Sequence, residues 1–276
     1  MDTQQLDALA STWRENFEHV YCISYAPYKK RREKLFKELR RVGIIHPDSD
    51  RDKDEPFFTM HYTVENQFEE MLLTHPGFRW PKHNKRFNRG ALSLAIGHYC
   101  VMKEALSLGY LRILIIEDDI VFLRDLDKIS DIVSNRPMAD IIMYDKVMPS
   151  TCRQSWENDL EMKKTQDREY VYLGKDDIVW TTSCYSVDSA AMWHITECQE
   201  ETFNVADYYT NAFVPARDYS MLLSPSSSIT RCASVTSLAC QRPSEETISD
   251  HGEANSVYSQ PGLYDCGINF EEYNFD

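Results

Sequence analysis

The chain has 276 residues, enough to bury a substantial core as one large α/β domain or two small ones. Its 42% hydrophobic and 27% charged content is ordinary for a soluble globular protein. Thirty basic against 44 acidic side chains give a formal charge of −14, which repels nucleic-acid phosphates and anionic membranes and argues against a general nucleic-acid role. No apolar run approaches the roughly 18 residues of a transmembrane helix. The opening Met1-Asp2-Thr3-Gln4-Gln5 has neither the basic nor the apolar region of a signal peptide. Eight cysteines are scattered without a C-x-x-C pair, and no N-glycosylation sequon occurs. These features describe a reduced, cytoplasmic protein without structural zinc, for which peripheral membrane contact stays open.

In chain order, residues 3–18 predict an amphipathic helix with Leu6, Leu9, Trp13 and Phe17 on one face. Val20–Ser24 reads as a short apolar strand, followed by a basic helix over Lys29–Arg40 that ends at Gly43. Ile44-Ile45 is expected to form a second short strand. Residues 46–56 and 76–89 read as polar or basic loops. A helix is predicted over Gly90–Leu108, where Leu94, His98, Val101, Met102 and Ala105 recur at helical steps, and Gly109 caps it. The Ile113–Ile116 strand follows directly, so a parallel, right-handed crossover is expected. A helix at 125–134, a strand at Asp140–Asp145 and a polar excursion to about 168 come next. A hairpin-like pair (Tyr170–Leu173 and Ile178–Val187) then precedes a helix at 188–198. From about 224 serines, prolines and acids predict a loop-rich tail, and no internal repeat is evident.

The chemistry concentrates where Ile113–Ile116 runs into Glu117-Asp118-Asp119 before the apolar run resumes at Ile120. A continuous β-branched run marks a strand buried on both faces of a parallel sheet. Ligands of open α/β sheets collect at the carboxyl ends of such strands. Three adjacent acids repel one another, and a divalent cation held by oxygen would relieve this and could bridge a phosphate. The bland alternative is a solvated acidic turn. Upstream, Lys29–Arg32 opens a helix just after the first strand, where helix N-termini already favour anions; taken alone, the run equally suits a solvated face. His98 lies on the apolar face of the helix that feeds the acidic strand.

Together these blocks resemble glycosyltransferase family 25, the lipopolysaccharide-type and procollagen-type galactosyltransferases. Ile23-Ser24-Tyr25 with Arg31-Arg32 resembles the family's opening strand and arginine pair. Asn88-Arg89-Gly90 through Gly97-His98 and Glu104-Ala105-Leu106 resembles its glycine–histidine helix, with Gly97 where serine is usual. Ile115 to Val121 resembles its L-E-D-D-V block. Weaker echoes are Asp140-Ile141-Ile142, Tyr185–Ala190 and Val205-Ala206-Asp207. The likeness runs from about residue 19 to about 225, and departs where the usual glycine–cysteine pair is replaced near Leu92-Ser93-Leu94.

The resemblance implies an α/β, GT-A-type Rossmann-like mixed sheet flanked by helices. A single domain would span 1–225, with a nucleotide-binding half at about 19–123 and an acceptor half at about 124–225. A loop-rich extension, 226–276, would pack on it. The implied activity is metal-dependent, inverting transfer of a hexose or pentose, by default galactose, from a UDP-sugar to a glycan hydroxyl. Asp119, with Glu117 beside it, would bind Mn²⁺ or Mg²⁺, and Glu117 and Asp118 would contact the nucleotide sugar or metal-bound water. Ser24 and Tyr25 would line the uracil–ribose pocket, supported by Arg31 or Arg32, with His98 close by. Inversion needs an acceptor-side carboxylate to take the hydroxyl proton. Candidates are Asp207, favoured for its place past the acidic block, then Asp177, Asp145 and Asp218. Trp180, Tyr185 and Trp193 could stack on sugars, although such aromatics are more often core. The competing classes are a nucleotidyltransferase, for which Tyr25–Lys30 lacks the glycine-rich phosphate loop, and a non-catalytic glycan- or partner-binding relative.

Overall fold

A computed structural model describes residues 3–47, 56–63, 89–145, 169–173, 182–201, 229–234 and 238–241. The helices are α1 (Thr3–Asn16), α2 (Lys29–Arg41), α3 (Arg89–Ser107), α4 (Leu126–Ser134) and α5 (Ser189–Glu201). The strands are β1 (His19–Tyr25), β2 (Phe58–Thr63), β3 (Arg112–Glu117), β4 (Ile120–Phe122), β5 (Ile141–Met143), β6 (Tyr170–Leu173), β7 (Cys184–Asp188), β8 (Arg231–Ser234) and β9 (Ala239–Gln241). Seven strands form one mixed sheet in the order β2-β1-β3-β7-β5-β8-β6, and β4 pairs with β9 in a separate ribbon. β1 runs parallel to both β2 and β3, so the strand after α3 is parallel as expected, whereas β7 is antiparallel to β3 and β5.

Side-chain alternation builds a core on each face of the sheet. From β3, Leu114 and Ile116 join Leu9 and Trp13 of α1, Leu35 and Leu39 of α2 and Ile129 of α4. Ile113 and Ile115 join Val101 and Met102 of α3 and Met192 and Ile195 of α5 on the other face. Burial on both faces is why β3 reads as an unbroken aliphatic run. Among the described residues, no helix is long and apolar enough to cross a membrane.

Three expectations change. Ile44 and Ile45 are not a strand: their N–H groups bond back to the carbonyl of Leu39, and Gly43, at φ 71°, closes the end of α2 as a Schellman turn. The amides that a ladder would need are therefore used as a helix cap. The second strand is β2, later in the chain. The hairpin at 170–187 is also absent, since β6 pairs with β8 at the sheet edge while β7 lies between β3 and β5. Finally, 231–234 and 239–241 lie in the expected tail yet are strands, because their backbones complete ladders begun by β5 and β4. The predicted cap at Gly109 has φ 77° and makes the same type of turn, with Tyr110 N–H on the Ala105 carbonyl.

α3 crosses β1 and β2 at Gly97. A Cβ there would stand 2.6 Å from Ile23 Cγ2 and 2.9 Å from Thr63 Cγ2, both on stiff β-branched side chains. Glycine at this position therefore permits the close approach of α3 to the sheet. Gly97→Ser should destabilise the fold by about 1–3 kcal/mol, the usual range for overpacking a core, despite its better helix propensity. Urea unfolding measures this, and an unchanged midpoint would contradict the contact.

Candidate functional site

The chain leaves β1 for β2 on one side and returns to β3 on the other, so β1 and β3 flank a topological switch point. Open α/β sheets bind ligands at the carboxyl ends of strands at such a point. Register places Ile23 opposite Glu117, so Ser24 stands next to the two-residue Asp118-Asp119 turn that leads from β3 into β4. Ser24 Oγ donates to Asp118 Oδ2 at 2.6 Å. β4 is gripped in turn by α2: Arg41 donates to the carbonyls of Phe122 and Leu123 at 2.9 and 3.0 Å.

The acidic triplet is not a solvated turn. Glu117, Asp118 and Asp119 are 7%, 4% and 6% exposed. Arg31, in the first turn of α2, lays one guanidinium nitrogen on both aspartates: Nη2 is 2.9 Å from Asp118 Oδ1 and also contacts Asp119 Oδ2. Its guanidinium carbon lies 5.1 Å from the ring centroid of Tyr28. Arg32 serves the end of β1. It donates to Ser24 Oγ, the Tyr25 carbonyl and the Ala26 carbonyl at 3.2, 2.9 and 2.8 Å. The two arginines thus divide their work, Arg31 on charge and Arg32 on the shape of the β1 end. Tyr25 packs edge-on against Tyr28.

Glu117 is held from the other side. Its Oε1 accepts from Thr182 Oγ1 at 2.9 Å and its N–H donates to the Ser183 carbonyl at 2.8 Å. His98 Nε2 lies 3.7 Å from the same Oε1, while Nδ1 is 2.8 Å from the Tyr185 hydroxyl. His98 is thus a buried support beneath Glu117. Tyr185 is fully buried in that contact and cannot stack on a sugar, and Trp193 is exposed on α5. Asp145, just past β5, is also fully buried, with Oδ2 accepting from Ser183 Oγ. This arrangement braces the strand end and, among the described residues, leaves the Asp145 carboxyl away from solvent. Asp177, Asp207, Asp218 and Trp180 lie outside the described residues. Thr182 and Ser183 were missed in the sequence, where two hydroxyls before an apolar strand carry no distinctive signal.

Burial pushes the Asp118 carboxyl up to about 6, with the Asp119 and Glu117 charges adding to the effect; Arg31 and the Ser24 hydroxyl oppose it but do not cancel it. The Arg31 guanidinium is itself desolvated, yet its three acidic neighbours hold it charged above its ordinary value. Among the described residues no cluster of three or more His, Cys, Asp or Glu is placed to hold a metal by itself. Asp119 Oδ1 is buried without a hydrogen-bond partner among the described residues. That combination fits a cation taking one or two carboxylates here and completing its shell with water and phosphate oxygens, the habit of Mg²⁺ in nucleotide sites.

The raised Asp118 value has a definite sign. Between its ordinary 3.8 and about 6 the folded protein holds a proton that the unfolded chain has released. Stability attributable to this group therefore falls as pH rises through that window, by on the order of 3 kcal/mol in all. Asp188 is also raised to about 6, so the readout is a difference between variants. Asp118→Asn should make the loss of stability between pH 4 and 6 shallower in urea titrations; an unchanged slope would contradict the assignment.

No family model matches the chain, and no curated protein matches it in sequence. Among solved structures, the chain is similar to mouse xyloside xylosyltransferase 1 in its apo form, at 9% identity and a TM-score of 0.33, covering 78% of each chain.

Proposed function

We propose that the protein is a metal-dependent, inverting glycosyltransferase with a GT-A-type nucleotide-binding sheet. It would transfer a hexose or pentose, by default galactose, from a UDP-sugar to a hydroxyl of a glycan acceptor. The observation that carries this reading is the burial of Glu117, Asp118 and Asp119 at the β1/β3 switch point, beside a helix whose first turn carries two arginines. Buried acids at that point are costly unless they serve a ligand, and a sugar diphosphate with its cation has the matching charge.

In this reading Asp119 would hold Mn²⁺ or Mg²⁺, with Glu117 at hand and Asp118 toward the nucleotide sugar. The cation, when bound, supplies Lewis-acid stabilisation of the charge that develops as UDP departs. Ser24 and Tyr25 shape the nucleoside side of the pocket, and Arg32 fixes their backbone. Arg31 provides positive charge next to the leaving phosphates. His98, Tyr185 and Thr182 keep Glu117 oriented without touching the donor. Inversion is a single displacement, so one carboxylate on the acceptor side removes the hydroxyl proton; Asp207 remains the favoured candidate.

A screen of UDP-sugars with Mn²⁺ should find one donor that is slowly hydrolysed, with loss of turnover in a chelator. Asp119→Ala should lower that rate by about 10²-fold or more, a typical scale for losing one electrostatic stabiliser, and abolish the Mn²⁺-dependent thermal shift by UDP. Release of pyrophosphate from a nucleoside triphosphate would point to the nucleotidyltransferase class. A protein shifted by no nucleotide would sink the enzyme reading altogether.

A further inference from the structure

The Arg31 side chain sits at the place where the proposed cation would act. One nitrogen, Nη2, contacts Asp118 Oδ1 and Asp119 Oδ2 together, as a metal ion between two carboxylates would. The side chain is only 11% exposed and leans on the Tyr28 ring. Among the described residues, Asp119 keeps a buried oxygen, Oδ1, that accepts no hydrogen bond, and Arg31 keeps a buried Nε that donates none. The contact is therefore strong in charge but incomplete in hydrogen bonding, a half-satisfied pairing rather than a finished structural ion pair. Three carboxylates also face this one guanidinium, so the site still favours added positive charge. A divalent ion and a guanidinium on the same two oxygens would, however, repel each other strongly.

We propose that Arg31 is an internal counter-cation for Asp119, which the protein exchanges for an external divalent cation when the nucleotide diphosphate arrives. This rests on the glycosyltransferase reading. Without nucleotide, Arg31 shields Asp119 and keeps the divalent cation weakly bound. Diphosphate oxygens offer the guanidinium an alternative anionic partner, since arginine suits phosphate geometry as well as it suits carboxylate. Arg31 then releases Asp119 to the cation and stays as the positive group beside the phosphates. Binding of cation and nucleotide is consequently coupled, and the coupling is reciprocal: each tightens the other by the same factor. The exchange lets an acidic protein hold three buried carboxylates together without a resident metal.

The test is a Mn²⁺ titration followed by electron paramagnetic resonance, with and without UDP, on the wild type and on Arg31→Gln and Arg31→Lys. Wild-type protein should bind Mn²⁺ weakly alone and about tenfold or more tightly with UDP, within the usual range of such couplings. Removing the internal cation in Arg31→Gln should tighten Mn²⁺ binding without nucleotide by a similar factor and shrink the effect of UDP. Arg31→Lys, which keeps a charge but not the fork, should fall between them and decides the matter if the glutamine variant does not fold. If wild-type binding is coupled to UDP but neither folded variant binds Mn²⁺ more tightly alone, the exchange is overturned and the glycosyltransferase reading stands. If wild-type protein binds no Mn²⁺ even with UDP, both fall.

Discussion

Three carboxylates in sequence, each more than nine-tenths buried, impose the constraint around which the rest of this molecule is arranged. Removing a carboxylate from water is costly unless it is paired and hydrogen-bonded. Here one guanidinium touches two of the three acids, and hydroxyls from Ser24 and Thr182 serve the first two positions of the triplet in reverse order, Asp118 and Glu117. The compensation is real but partial, as the upward displacement of Asp118 records. A sequence selected for stability alone would place one acid here, or none. Local conflict of this kind within a consistent core is what singles the triplet out as the candidate site.

What makes the conflict tolerable is the register of two strands and the phase of one helix. The parallel pairing of β1 and β3 sets Ser24 level with the acidic turn. Successive residues on a helix project about 100° apart, so neighbouring Arg31 and Arg32 reach different walls of the same crevice. One reaches the aspartates and the other the three acceptors at the end of β1. Neither could exchange roles with its neighbour without rotating α2, which Leu35 and Leu39 fix in the core and which Glu38 and Arg41 fasten to β4. Local charge and distant packing are thus one mechanical unit.

The legible parts of this fold are those whose signals are local. β3 announces itself by its aliphatic run because both of its faces are covered, and Gly43 and Gly109 mark helix ends because their backbones need positive φ. β2 is hard to read: Phe-Thr-Met-His-Tyr-Thr is an edge strand with half-exposed middle residues, so nothing forces an apolar run. Ile44-Ile45 misleads for the opposite reason, since buried aliphatics serve a helix cap as well as a strand. β8, Arg-Cys-Ala-Ser, has no strand-like composition and exists because β5 and β6 supply its ladders. The same split holds in the site. The acids and arginines stand out by charge, whereas Thr182 and Ser183 matter through partners 65 and 38 residues distant.

Those two hydroxyls also show why a mixed sheet suits this site better than a purely parallel one. Parallel strands deliver only their carboxyl ends to the crevice, and the carboxyl ends of β1, β3 and β5 bring Ser24, Glu117 and Asp145 there. β7, running the other way between β3 and β5, delivers its beginning. The segment entering β7 therefore crosses the same edge with a backbone carbonyl and side-chain donors turned to the acids. The Ser183 carbonyl takes the Glu117 N–H, Thr182 donates to the Glu117 carboxylate, and Ser183 donates to Asp145. A reversed strand thereby supplies donors where the parallel strands supply acids, from rigid backbone on both sides. The orientation of Glu117 is thus fixed from both sides, whereas Asp119 is held by Arg31 and keeps Oδ1 without a hydrogen-bond partner among the described residues.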